Sequence, residues 1–208
     1  MPEVNNTIAV PDIYSKLTIP NKSISLSKTE AELIYIILTQ TKITKTLEVG
    51  FAFGCSAAYI IAATNSPHFT IDPHQAKHWD NLGIKNLESL KLSHHLRFQP
   101  DFSHNALPEL LKKGFGFDFI FIDGDHKYDT IMNDFFYSDL LLNYGGYILL
   151  DDVHMKATQI VIHWIKTNRL DYKQVDLPTD QDYTNLAMFQ KIEEDVRQWD
   201  HFEEFYQG

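Results

Sequence analysis

The sequence predicts an α/β fold: a doubly wound, mostly parallel sheet of seven strands with helices on both faces. Short apolar runs alternate with helical patterns about every 25 residues, which is typical of strand–helix units. Two of these runs, at 117–123 and 146–152, are almost wholly apolar, as strands covered on both faces are. No internal repeat or linker is evident, so residues 1–208 are predicted to form a single domain.

The N-terminal part of the chain is predicted to be an irregular arm that leads into a helix. Residues 1–26 contain three prolines and little periodicity. Ser27 and Glu30 then form the S-x-x-E pattern of a capping box, which predicts that a helix begins here and runs through "AELIYIILTQT".

The strands and helices that follow alternate along the chain. Strands are predicted at 45–50, 68–72, 95–99, 117–123, 146–152, 172–177 and 185–191. Helices are predicted at 56–64, in a polar stretch that ends near residue 92, and at 105–113, 128–145 and 157–167. Gly145 is interpreted as a helix C-cap.

The C-terminal tail, 193–208, is predicted to be helical, because Val196, Trp199, Phe202 and Phe205 follow a near-helical spacing. These side chains, with Tyr206, are expected to cover the sheet, close a ligand pocket or contact a second subunit in a homodimer. The sequence leaves the three alternatives open.

Composition limits the classes of function. The chain has 28 acidic residues against 18 Lys and Arg, a formal net charge of −10, which disfavours binding to nucleic acid or to an anionic membrane surface. No apolar run approaches the roughly 18 residues that a membrane span needs, and the N-terminal sequence has no signal-peptide pattern. Cys55 is the only cysteine, so a cytoplasmic, reducing location is expected.

Five acidic residues are predicted to meet at one edge of the sheet. Each of them stands in or just after the last part of a predicted parallel strand: Glu48, Asp72, Asp123, Asp151 and Asp152. In a doubly wound sheet, ligands bind at the carboxyl ends of the strands, near the point where the strand order reverses. We therefore expect a binding site there.

The first strand-to-helix turn, "LEVGFAFGCSA" at 47–57, suits a nucleoside ligand. Gly50 and Gly54 permit a tight turn, and free N–H groups at the start of the next helix can hold an anion. Asp72, at the end of the next strand, is placed to accept hydrogen bonds from a ribose diol. The turn is not G-x-G-x-x-G, which disfavours NAD and FAD. The alternative is an ordinary glycine turn with an incidental acid.

With "IDGDHKYD" and "GGYILLDD", this turn resembles the motifs of class I S-adenosylmethionine-dependent methyltransferases. Within that class it is most similar to the metal-dependent small-molecule O-methyltransferases, the catechol and caffeoyl-CoA type and the macrocin-type bacterial branch. The resemblance spans roughly Ser27 to Lys191 and implies a Rossmann-like sheet. It also implies methylation of a small-molecule hydroxyl, with S-adenosyl-L-methionine and Mg²⁺ or another divalent cation as cofactors.

The resemblance implies roles for individual residues. The cofactor-binding residues would be Glu48, Gly50, Gly54, Ser56, Asp72, Ser103 and Asp123. Ser56 would meet the methionine carboxylate and Ser103 the adenine, with Asp101 or His104 as alternatives to Ser103. Asp123, Asp151 and Asp152 would form the metal site, although many relatives have Asn in place of Asp152.

The metal site also follows from charge, and it raises the question of a base. Three carboxylates at adjacent strand ends repel one another unless a hard cation lies between them. Alternatively, Asp151 caps the following helix and Asp152 points to solvent.

His126 is assigned as the general base that accepts the acceptor's proton, with Asp125 and His154 as competitors. A structural or metal-positioning role for His126 is the alternative.

Two other classes of function remain open. An apolar strand that ends in D-x-D resembles Mg²⁺-dependent phosphatases of the haloacid dehalogenase type, although that family carries the motif near its N-terminus. A non-catalytic methyltransferase-like binding module is the second. Methylated product from a catechol or a sugar, formed only when a divalent cation is present, would favour the hydroxyl-methylating enzyme over both of these alternatives. Residues 1–26 and 177–184 are expected to form the walls of the acceptor pocket.

Overall fold

All seven predicted strands are present and form one sheet. The computed structural model describes residues 8–178 and 184–205. The strands are β1 Thr46–Val49, β2 His68–Ile71, β3 Leu96–Gln99, β4 Phe117–Ile122, β5 Leu142–Leu150, β6 Tyr172–Val175 and β7 Ala187–Lys191. They lie in the order β3-β2-β1-β4-β5-β7-β6. The first five are parallel, whereas β7 is antiparallel to both of its neighbours.

Helices cover both faces of the sheet. They are α1 Lys28–Thr39, α2 Cys55–Thr64, α3 Leu82–Ser89, α4 Ser103–Lys112, α5 Tyr128–Leu141 and α6 Lys156–Asn168. Side chains of α1, α2 and α3 pack with Phe119 and Phe121 in one core, and those of α4, α5 and α6 pack with Ile120 and Ile122 in the other. Because successive residues of β4 point to opposite faces, one apolar strand serves both cores. The predicted doubly wound, mostly parallel sheet is confirmed.

The capping box that begins α1 is also confirmed. The backbone N–H of Glu30 donates to Ser27 Oγ at 3.3 Å, and the backbone N–H of Ser27 donates to Glu30 Oε2 at 3.1 Å. These reciprocal bonds satisfy N–H groups that a helix start leaves without partners. The irregular arm before it matches its prediction over residues 8–26, apart from a short 3-10 helix at Tyr14–Lys16.

The strand order reverses between β1 and β4, and this places two loops side by side. Val49 pairs with Ile122 in parallel register, and the backbone N–H of Asp123 donates to the carbonyl of Val49 at 2.9 Å. The loops that leave β1 at Gly50 and β4 at Asp123 therefore begin next to each other. A crevice for a ligand opens between such loops in this class of fold.

Two predicted boundaries are wrong. The helix predicted at 128–145 ends at Leu141, and residues 142–145 already belong to β5. Gly145, with φ of +80°, is therefore not a helix cap. Leu142 pairs with Phe117 across β4 and β5, so strand pairing decides where the helix ends.

The predicted C-terminal helix is the other error. Residues 193–205 contain no helix. The spacing of apolar side chains in the tail did not indicate a buried helix face, because Trp199 is 94% exposed. Instead, Asn168 exchanges two hydrogen bonds with the backbone of Glu203, which holds the tail against α6. Tyr206 lies outside the described residues, and the homodimer stays a prediction. No described helix has the length and apolar character needed to cross a membrane.

Candidate functional site

The turn between β1 and α2 passes so close to the β4 loop that no side chain fits at Gly50. Its φ is +93°, and a Cβ atom there would lie 1.9 Å from the carbonyl oxygen of Asp123. Gly54, with φ of +71°, is the N-cap of α2. Gly83 in α3 also packs against this turn, since a Cβ atom at Gly83 would lie 2.8 Å from the carbonyl oxygen of Ala52. Its role could not be read from the sequence.

Asp72 fixes the conformation of this turn. Its Oδ2 accepts hydrogen bonds from the backbone N–H groups of Phe51 at 3.3 Å and Ala52 at 2.9 Å, and its Oδ1 accepts one from His74 N–H at 2.6 Å. Gln75 ties the same elements together, because its Nε2 donates to Asp72 Oδ2 and to the carbonyl oxygen of Ala52. The carboxylate is 4% exposed and borders the cavity described next.

A cavity of about 1040 Å³ opens at the carboxyl ends of β1, β2, β4 and β5. This is at the upper end of the range for small-molecule pockets, roughly 300–1,000 Å³, so there is room for more than one ligand. The predicted site residues that line it are Gly50, Ser56, Asp72, Ser103, Asp123, Asp125, His126, Asp151 and Asp152. Residues 23–26 of the arm border it as well, but 179–183 of the other predicted wall lie outside the described residues.

Glu48 does not line this cavity. It is fully buried within the sheet, where its Oε2 lies 3.3 Å from His68 Nε2 and accepts a hydrogen bond from Thr70 Oγ1 at 3.2 Å. Thr46 Oγ1 lies 2.8 Å from the other ring nitrogen of His68. Glu48 thus joins β1 to β2 in a buried polar network.

Aromatic rings surround the end of the cavity near α4. Phe102 stacks on His104 with ring centroids 5.4 Å apart, and His74 meets Phe102 edge-on at 6.0 Å. Ser103 and His104 both border the cavity. Asp101 does not border the cavity. Its Oδ1 accepts hydrogen bonds from Phe102 N–H and from the side-chain amide of Asn105.

Three side chains at the other end form a compact cluster. The cluster consists of Asp123, His126 and Asp152. Each side chain offers one ligand atom, and the three atoms lie within 4.8 Å of one another. Nε2 of His126 is 2.6 Å from Asp152 Oδ2 and 3.8 Å from Asp123 Oδ1. At 2.6 Å the contact with Asp152 is a close ion pair when the imidazole is protonated. The three donor atoms converge closely enough to share a cation, and two carboxylates with an imidazole are a suitable donor set for one.

The charges in this cluster perturb one another. Asp123 and Asp152 raise the pKa of His126 to about 10, and the contact with His126 lowers the pKa of Asp152. Burial, followed by the charge of Asp123, raises the pKa of Asp151 to about 9. Asp151 is not part of the cluster, since its Oδ1 accepts the backbone N–H of Asp152 at 2.7 Å. The structure thus groups His126, instead of Asp151, with the other two predicted ligands.

The remaining candidates for a base have other partners. Asp125 accepts a hydrogen bond from Lys127 Nζ at 2.7 Å, and this bond lowers the pKa of Asp125. His154 Nδ1 lies 2.7 Å from Oδ1 of Asn185. Asn185 also contacts Asp151 and Asp152, and it is the site residue that the sequence did not reveal.

Comparisons of sequence place the chain near known methyltransferase domains. A family described as methyltransferase domain matches residues 47–153, which run from β1 to the loop after β5 and include the predicted cofactor and metal residues. A curated relative, the uncharacterised protein R132 of Acanthamoeba polyphaga mimivirus, is 36% identical over 67 residues. That alignment covers 32% of this chain and only 29% of the viral protein.

Comparisons of structure find the same fold in solved O-methyltransferases. The O-methyltransferase TomG of Streptomyces achromogenes, which is involved in tomaymycin synthesis and was solved with S-adenosylmethionine, superposes with a TM-score of 0.71 at 16% identity. The overlap covers 90% of this chain and 93% of TomG. A putative caffeoyl-CoA O-methyltransferase of Staphylococcus aureus gives a TM-score of 0.66 at 18% identity, over 85% of this chain and 87% of the other. At these identities the likeness concerns the fold.

Proposed function

This chain belongs to the family of methyltransferase domains, and we propose that it transfers a methyl group from S-adenosylmethionine to a hydroxyl of a small molecule with the help of a divalent cation. The observation that carries the proposal is one cavity bordered both by the Asp72-supported turn and by the cluster of Asp123, His126 and Asp152. The first feature suits the nucleoside part of the cofactor, and the second suits a cation beside the acceptor.

The cofactor would lie along the turn. Asp72 Oδ1 accepts one hydrogen bond from the protein, so it keeps capacity for a ribose hydroxyl. Ser56, in the first turn of α2, stands where free N–H groups attract a carboxylate such as that of the methionine part. Ser103 and the rings of Phe102 and His104 would border the adenine. S-adenosylmethionine supplies the methyl group, and the protein's part is to align it with the acceptor oxygen.

The cation would be held by Asp123, His126 and Asp152. When bound, it would orient the acceptor hydroxyl and favour its ionised form. The imidazole nitrogen in this set shifts the preference from Mg²⁺ towards cations that accept nitrogen more readily, such as Mn²⁺. This set replaces Asp151 of the predicted site with His126, while Asp151 lies next to it and supports the backbone of Asp152.

Assigning His126 to the cation leaves the role of general base to another residue. Its Nε2 faces two carboxylates, and with a pKa near 10 it is protonated at neutral pH in the metal-free protein. Asp125 is a weak base because Lys127 lowers its pKa. His154 borders the cavity, and its contact with Asn185 assigns the ring proton to Nδ1, which leaves Nε2 as an acceptor. We therefore assign the base to His154. Unchanged kcat in His154→Gln would exclude it.

The proposed function is tested by product formation. Purified protein, S-adenosylmethionine carrying a labelled methyl group and a panel of catechols and sugars would be incubated with Mg²⁺, with Mn²⁺ or with EDTA. We expect labelled product that depends on the added cation. If the protein binds the cofactor but methylates no member of a broad panel, a non-catalytic binding module is supported instead. Equal turnover in EDTA would exclude the role of the cation.

A cytoplasmic location, proposed from the single buried cysteine Cys55, is tested separately by fractionation.

A further inference from the structure

The antiparallel pairing of β5 with β7 places Asn185 directly beside the cation cluster. Leu150 at the end of β5 pairs with Ala187 at the start of β7. Continuing this register by two residues brings Asn185 opposite Asp152, and the backbone N–H of Val153 donates to the carbonyl oxygen of Asn185 at 3.1 Å. The segment that leads into β7 therefore contributes to a site that the parallel strands otherwise form.

The side-chain amide of Asn185 bonds in two directions. Its Nδ2 donates to Asp152 Oδ1 at 3.0 Å and to Asp151 Oδ1 at 3.4 Å. Its Oδ1 accepts hydrogen bonds from His154, from the backbone N–H at 3.2 Å and from the ring Nδ1 at 2.7 Å. One neutral side chain thus contacts Asp151, Asp152 and His154 in the loop after β5 without adding charge beside the carboxylates.

The backbone of Asp152 requires such support. Its φ is +54°, in the left-handed region that a side chain with a Cβ atom adopts only at a cost in free energy. With Oδ1 held by Asn185, the other oxygen, Oδ2, faces His126 Nε2 at 2.6 Å. The orientation of the carboxylate in the cluster therefore depends on the hydrogen bond to its other oxygen.

We infer that Asn185 is a positioning residue, which holds Asp152 so that Oδ2 points to the cation that Asp123 and His126 also bind. The inference rests on the proposed cation site. Partners that hydrogen-bond to a ligating carboxylate fix its direction, and their loss typically weakens metal binding by about 10- to 100-fold. An amide suits the position because it donates to one carboxylate and accepts from His154 at the same time.

The test compares metal affinity with cofactor affinity in the same variants. Binding of Mn²⁺, measured by electron paramagnetic resonance of the free ion, and binding of S-adenosylhomocysteine, measured by calorimetry, would be determined for the wild type, Asn185→Ala and Asn185→Leu. The leucine variant keeps the volume of the side chain, so it separates lost hydrogen bonds from a cavity. Asn143→Ala is the matched control, because Asn143 also donates to a carboxylate, Asp118 Oδ1 at 2.7 Å, but does not line the cavity.

We expect both Asn185 variants to bind Mn²⁺ at least about tenfold more weakly while their affinity for S-adenosylhomocysteine stays within about twofold, and Asn143→Ala to change neither. Wild-type affinity for Mn²⁺ in both Asn185 variants would overturn the inference. Parallel loss of both affinities would overturn it too, since that pattern indicates general disruption. A wild type that binds S-adenosylhomocysteine but no Mn²⁺ would instead refute the proposed cation site and the inference with it.

Discussion

His126 Nε2 lies 2.6 Å from Asp152 Oδ2, a close ion-pair contact between the loops that follow β4 and β5. Asp123 Oδ1 lies 3.8 Å from the same nitrogen. Two carboxylate oxygens and an imidazole nitrogen that converge in this way suit a shared cation once the imidazole has lost its proton. The finding connects the loop after β4, which carries Asp123 and His126 into the cavity, with the loop after β5, which carries Asp152.

Loss of either side chain should remove most of the affinity for a divalent cation. We expect His126→Ala and Asp152→Ala to weaken Mn²⁺ binding by more than about tenfold, because each deletes one of the three ligands assigned among the described residues. Asp125→Asn is the control, since the Asp125 side chain bonds to Lys127 and not to the cluster. Equilibrium titration with Mn²⁺ measures this. Equal affinity in all three variants and the wild type would contradict the assigned ligands.

The metal-free protein should lose stability as the pH rises from about 6 to about 9. The folded protein holds protons on His126 and Asp151 to higher pH than the unfolded chain does, because the pKa values of these groups are raised to about 10 and about 9. A folded state that binds more protons than the unfolded state becomes less stable as the pH increases. Thermal unfolding in EDTA at several pH values measures the effect.

Two controls make the pH effect specific. Excess Mg²⁺ or Mn²⁺ should reduce the fall in Tm, because a cation replaces protons among the carboxylates. Asp151→Asn should reduce it in EDTA, since one group with a raised pKa is removed. A Tm in EDTA that is constant or that rises between pH 6 and 9 would show that the carboxylates are not arranged as described.

Gly50→Ala should destabilise the protein strongly. The new Cβ atom would overlap the carbonyl oxygen of Asp123 at 1.9 Å, and the backbone would hold alanine at a φ of +93°. We expect a loss of roughly 3 kcal/mol or more in the free energy of unfolding. Gly114→Ala is the matched control: its φ is +74° but no atom lies within 4 Å, so strain alone should cost about 1 kcal/mol. Similar losses in the two variants, measured by urea unfolding, would refute the close approach.

Arg169→Met should destabilise the fold without affecting the site. The buried guanidinium of Arg169 contacts Asp139 at 2.8 Å and Asp171 at 2.6 Å, so its removal leaves two buried carboxylates without this partner. Breaking a buried pair in this way typically costs about 3–5 kcal/mol. Arg197→Met, which removes a partly exposed pair with Asp195, should cost less than about 1 kcal/mol. Urea unfolding distinguishes the two. Affinity for S-adenosylhomocysteine should persist in both, because neither arginine borders the cavity.

Local patterns in the sequence predicted the parts of the fold that local forces determine. Ser27 and Glu30 form the expected capping box because both bonds lie within four residues of chain. The central strand β4 could be predicted because it is an apolar run whose side chains fill both cores. The ends of α5 and the tail could not, since strand pairing at Leu142 and contacts of Asn168 with Glu203 involve distant partners.

The site was predicted only in part for a similar reason. The strand ends indicated which acids share an edge, but the left-handed turn at Asp152 determines that this carboxylate, and not that of Asp151, meets His126. Asn185 remained hidden because its position depends on β7 pairing antiparallel with β5, which no pattern near Asn185 indicates.

The measurement that tests the central claim most directly is calorimetric titration of S-adenosylhomocysteine into the wild type, Asp72→Ala and Asp118→Ala. Asp118 is a matched control, because it too accepts backbone N–H groups, from Thr44 at 2.8 Å and Lys45 at 3.2 Å, but outside the cavity. We expect the wild type and Asp118→Ala to bind and Asp72→Ala to bind at least about tenfold more weakly, because losing a charged hydrogen-bond acceptor costs about 1.5–3 kcal/mol. No binding by the wild type, with or without a divalent cation, would contradict the account.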